Sequence, residues 1–122
     1  MIKLKDLLIE AAYVQDLSYI NDLHKQIVNL LKKNKNVSEF SDHGPEDNKY
    51  APGNYVSSFH VYGQKITIGS GSHTPGVDFN VTFSKSKMEL FISGVGYFPI
   101  HKKVSGKDIL KMVSSEKETI KL

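Results

Sequence analysis

Between Asp16 and Lys33 the apolar residues Leu17, Ile20, Leu23, Ile27, Leu30 and Leu31 return every three or four positions, while Asp16, Asn21, Asp22, Lys25, Lys32 and Lys33 fall mostly on the other side. This spacing predicts an amphipathic helix. Asp16 can cap its start, and Lys32, Lys33 and Lys35 bring positive charge to the carbonyl pole of the helix dipole. Leu4, Leu7, Leu8, Ala11 and Ala12 carry the rhythm upstream, so the expected helical segment spans 2–34, either continuous or broken between Tyr13 and Gln15. Over 35–54 the rhythm gives way to Asn, Ser, Asp, Gly and Pro, which predicts a loop of about twenty residues, a length that compact domains reserve for function or disorder.

After that the period becomes two. Tyr55, Ser57, Phe59 and Val61 alternate with Val56, Ser58, His60 and Tyr62, Ile66 and Ile68 flank Thr67, and Val77, Phe79, Val81 and Phe83 alternate with Asp78, Asn80 and Thr82. Met88, Leu90 and Ile92 continue the pattern, and Tyr97 to His101 forms a further strand that Pro99 pushes to a sheet edge. Short polar connections at 63–64, 70–76, 84–87 and 94–96 favour hairpins, so 55–103 reads as an antiparallel meander of four or five strands. Ser105 and Asp108 then form a capping box with Val104 and Ile109 as a hydrophobic staple, opening a short helix over 105–115. The segment 119–122 reads as a terminal strand or a frayed end. The fold class expected is α+β in two layers, with the helices on one sheet face and fifteen to twenty core side chains that include Leu17, Ile20, Ile27 and Leu31.

Length and composition narrow the class. The 122 residues suit a single domain, and the absence of cysteine excludes disulfides, thiolate metal sites and a cysteine nucleophile. A cytoplasmic location is expected: Asp6 and Glu10 interrupt what would be the apolar stretch of a signal peptide, and no apolar run approaches the roughly 20 residues of a membrane span. The formal charge is +3, yet every one of the sixteen basic residues is lysine. Without arginine the chain lacks the planar fork that reads guanine edges and clamps phosphates, which argues against nucleic acid as a partner. The preference for lysine, asparagine and isoleucine suggests an AT-rich coding genome, that of a low-GC bacterium or its virus.

Candidate chemistry is sparse. The segment Gly69 to Gly76 offers free backbone, the hydroxyls of Ser70, Ser72 and Thr74, and the His73 imidazole, a composition able to cradle an anion. It lacks the lysine and following helix of a nucleotide-binding loop, and its plain reading is a wide hairpin connection. Five histidines, at 24, 43, 60, 73 and 101, show no metal-ligand spacing, so no metal and no cofactor is expected. Asp42, His43, Glu46 and Asp47 could bind a divalent ion, but their plainer reading is a solvated acidic loop. His60 could pair across the sheet with Asp78 or Glu89 as a general base, if the register allows. The outward set Ser58, His60, Tyr62, Thr67, Asp78, Asn80, Thr82, Glu89, Phe91 and Ser93 mixes aromatic and small polar groups, as a docking platform or subunit interface does.

In the second half of the chain, antiparallel strands followed by a helix that His101, Lys102, Lys103, Lys107 and Lys111 open with positive charge resemble the double-stranded RNA-binding domain, whose last helix grips phosphates. The loop motif of that family is missing and there is one strand too many, so the resemblance implies no RNA site here. The opening residues MIKLKDLLIE are similar to the starts of many small proteins of tailed phages. The function expected is a non-enzymatic binding module, of inhibitor or sequestering type and phage-encoded, that captures a protein or small ligand through Ser70, Ser72, His73, Thr74, His60, Tyr62, Asp78 and Asn80. A homo-oligomer is expected as well. The alternatives are a small hydrolase or nucleotide-processing enzyme with a His/Asp acid-base pair, and a virion or other assembly protein.

Overall fold

The computed structural model describes residues 16–47, 53–84 and 87–122; the helix expected over 2–15 lies outside the described residues. Helix α1 spans Leu17–Lys33, capped by Asp16, whose Oδ1 accepts from the amides of Ser18 at 2.9 Å and Tyr19 at 3.3 Å. Ile20, Leu23, His24, Ile27 and Leu31 form its buried stripe. Leu17, expected in the core, is 49% exposed. At 3.6 residues per turn it lies roughly 60–70° from the centre of that stripe, on its shoulder, and it sits in the first turn.

Seven strands follow. β1 is Val37–Asp47, β2 Tyr55–Gly63, β3 Ile66–Ile68, β4 Gly71–His73, β5 Gly76–Phe83, β6 Met88–Ile92 and β7 Gly96–Ile100. Five of them form one antiparallel sheet in the order β1-β2-β5-β6-β7, and β3 and β4 pair only with each other. Helix α2, Gly106–Glu116, closes the chain with the expected capping box: the Ser105 hydroxyl takes the amide of Asp108, and the Asp108 carboxylate takes the amide of Ser105. α2 packs on α1 at Gly106, where an added Cβ would stand 2.7 Å from Gln26 Cβ, so only glycine allows this approach.

One face of the sheet presents Phe59 and Val61, then Val77, Phe79, Val81 and Phe83, then Met88, Leu90 and Ile92. These join the buried residues of α1 and Ile109, Leu110 and Val113 of α2 in one apolar cluster. Eighteen apolar side chains are buried among the described residues, within the expected size, each worth roughly 1.5–3 kcal/mol when fully removed from water. The tail is no strand: Ile120 is buried, Leu122 N–H donates to Ser114 Oγ at 2.7 Å, and Asn34 Nδ2 donates to the carbonyls of Lys121 and Leu122.

Two expectations are corrected. The loop expected over 35–54 contains β1, which supplies an edge of the sheet. Its alternation is hidden for physical reasons. The register shifts between Val37 and Glu39 and again between His43 and Glu46, and the inward position opposite Phe59 carries Asp42 instead of an apolar residue. Gly44 sits in the second irregularity with φ +97°, and a Cβ there would meet Val56 O. The second correction concerns Ile66 to Ile68, which leave the sheet: β3 and β4 make a small hairpin turning at Gly69-Ser70, all of it exposed. The sheet therefore reaches five strands with β1 in the place expected of β3.

Candidate functional site

Both helices cover the same sheet face, and the described residues leave the other face open. The register lays it out in rows. His43, Ser58, Asn80, Phe91 and Tyr97 are successive partners across all five strands, and Ser41, His60 and Asp78 form the row beside them. The Phe91 and Tyr97 rings are in contact, with centroids 4.7 Å apart and planes tilted by 41°, and Tyr97 and Tyr62 are exposed. Of the expected outward set, Thr67 lies on the separate hairpin and so is not on this face, while Ser93, in the turn after β6, donates its N–H to Asp78 O at 2.9 Å and stands at the end of the β5-β6 ladder.

The expected cross-strand pair forms. His60 and Asp78 are direct register partners, and His60 Nδ1 lies 2.8 Å from Asp78 Oδ1. A carboxylate only accepts, so Nδ1 is the donor, and in the neutral ring Nε2 keeps its lone pair. Glu89, the other candidate, instead pairs with Lys87 Nζ at 2.9 Å. The His60 side chain is 45% exposed. On its other flank stands His43, edge to face, with ring centroids 6.2 Å apart. Tyr62 and Asn80 share the face, whereas Ser70, Ser72, His73 and Thr74 are exposed on the β3-β4 hairpin. No hydrogen bond or ion pair joins those four to His60 or Asp78 among the described residues. The acidic run is also divided by strand alternation, with Asp42 turned toward the helices and His43 toward the open face.

A second histidine pair escapes sequence reading. His24 on α1 puts Nε2 2.8 Å from Asp42 Oδ2 on β1, with its side chain only 7% exposed and its ring 4.8 Å from that of Phe59. His24 Nδ1 is buried and has no partner among the described residues. The tautomer that donates from Nε2 leaves no buried N–H unsatisfied. Asp42 is eighteen residues away, inside the segment that reads as a loop, so the partner was not recognisable from helical spacing. The position of His24 on the buried stripe was the available signal.

Charge divides the molecule. None of the five sheet strands contains a lysine, and the strand positions of the open face carry Glu39, Asp78 and Glu89. Lys25, Lys32, Lys33, Lys107 and Lys111 lie on the helices. At the start of α2, Lys103 Nζ sits 5.1 Å over the Tyr19 ring, and the Asp108 carboxyl is held below the usual carboxylate range. The cause is first the Ser105 amide, then the Ser105 hydroxyl, with Lys102 and Lys111 adding to it and desolvation opposing.

A cleft of about 410 Å³ runs between β7 and α2, with Phe98, Val104 and Met112 as its apolar lining. The residues expected to capture a ligand do not line it; of two smaller clefts of about 210 and 200 Å³, the first takes in Thr82 and Glu89 of the outward set. No helix among the described residues is long and apolar enough to cross a membrane. No protein-family model, curated protein or solved structure matches the chain.

Proposed function

We propose that the protein is a non-enzymatic binding module whose open sheet face docks a partner protein. The observation that carries this reading is the row running from His43 to Tyr97, which ends in the tilted Phe91-Tyr97 ring pair and in the exposed Tyr97. Aromatic side chains are enriched in interface cores and among the residues that carry binding energy. A flat sheet suits a protein surface better than a small molecule, which needs a concave site to lose most of its own exposed area. The five strands carry no lysine, and of the carboxylates on this face Asp78 and Glu89 are already paired with His60 and Lys87, so the face favours a neutral partner over a polyanion.

The test is retention of a partner from extract of the protein's host, identified by mass spectrometry and then titrated in purified form. The Phe91→Ala/Tyr97→Ala variant should lose at least tenfold in affinity, while Lys107→Ala/Lys111→Ala on the helix face should lose little. Equal affinity of the aromatic variant and the unaltered protein would overturn the reading.

The 2.8 Å His60-Asp78 pair supports a second reading, a small hydrolase with His60 as general base. On that reading, p-nitrophenyl esters or phosphates are turned over and His60→Ala abolishes turnover while ligand affinity survives. A protein that turns over none of them argues for the docking module.

A further inference from the structure

The structure assigns His43 and His60 to one binding site for a divalent transition-metal ion, with Asp78 holding His60 in the ligating orientation. No group of three or more His, Asp or Glu side chains is placed to hold a metal among the described residues, so one chain offers two ligands. Those two are well prepared. Donation of Nδ1–H to Asp78 at 2.8 Å fixes the ring and tautomer of His60 and leaves Nε2 as the ligating atom, the carboxylate-histidine arrangement that supports metal-bound imidazoles. His43 is exposed and has no hydrogen-bond partner among the described residues, so its ring is free to turn.

The separation of the two rings is close to that of a shared ion. The rings are tilted by 75° with centroids 6.2 Å apart. An ion held about 2.0–2.1 Å from one nitrogen of each ring, in tetrahedral geometry, sets centroids roughly 5 Å apart. The shortfall of about 1 Å is within reach of a rotation about the side-chain torsions of an exposed residue. Imidazole pairs suit zinc, copper and nickel and are poor ligands for magnesium or calcium. Two imidazoles leave two tetrahedral positions of a zinc ion open to water or to a donor on a docked surface. The ligands must be unprotonated, so uptake weakens on acidification.

This inference goes beyond the docking reading and stands apart from it, because ion uptake by the isolated protein needs no partner. Zinc chloride titrated calorimetrically into the purified chain should show one ion bound per chain. His43→Ala and His60→Ala should each weaken binding at least tenfold, Asp78→Asn by about 10- to 100-fold, and His73→Ala and His101→Ala should leave it unchanged. In the unaltered protein, zinc should shift the imidazole NMR signals of His43 and His60 before those of His73 and His101, a reading that depends on no variant. No uptake at millimolar zinc, or uptake that survives His60→Ala, or signals of His73 or His101 moving first, would each overturn the assignment.

Discussion

Burial separates the two histidine-carboxylate pairs although both measure 2.8 Å. His60 lies open to solvent, where its ring is available for ligands and its pairing with Asp78 contributes little to folding. His24 is enclosed between α1 and the Phe59 ring, so Asp42 supplies the acceptor that its buried Nε2–H requires. Asp42→Ala should therefore destabilise the fold by about 1–3 kcal/mol in urea unfolding, the cost of leaving a buried donor unsatisfied. His24→Leu removes the donor together with the need for it and should cost less, and the double variant should be no worse than His24→Leu alone. An Asp42→Ala midpoint equal to that of the parent would show that the pair does not hold β1 to α1.

Element ends in this chain are set by particular side chains, and α2 shows how. Ser105 and Asp108 satisfy one another's amides, and the result is a carboxyl held below its ordinary range. A group with a lowered folded-state value contributes stability that is complete above its unfolded value and is lost as pH falls through the folded one. Thermal stability followed downward from neutral pH should thus show a gap between the parent and Asp108→Asn that closes in acid. A gap of constant size would mean that the capping geometry, without the charge, holds the start of α2. The edge strand β1 is the opposite case, since its ends follow from pairing with β2 more than from any local signal.

The free edges and the open face decide how the whole molecule meets others. β7 is an edge, and Pro99 pairs with Glu89 of β6 at a position where a residue with an N–H would direct it off the sheet. Proline there removes a donor that a second chain could use to extend the sheet. Pro99→Thr should restore that donor and raise self-association, measured by sedimentation velocity over a concentration series. Unchanged sedimentation would show that Pro99 does not guard the edge. The open face remains the more extensive surface, spanning five strands or about 20 Å across, and it carries both the docking reading and the metal site.

Local pattern by itself determined α1, α2 with its capping box, the alternation of β2, β5 and β6, and the edge position of β7, because each of these expresses a period or a cap within a few residues. His60 and Asp78 were legible as candidates for the same reason, since both belong to strongly alternating strands, whereas the choice of Asp78 over Glu89 came from the strand register. Only the tertiary structure decided that Val37 to Asp47 is a strand, that Ile66 to Ile68 leave the sheet, that Leu17 stays wet, and that His24 meets Asp42 while His43 meets His60. In β1 two register shifts and an inward aspartate erase the two-residue period, so pairing with β2 and packing against α1 supply what the local pattern lacks. Contacts of that kind join positions distant along the chain, and no window of neighbouring residues contains both partners.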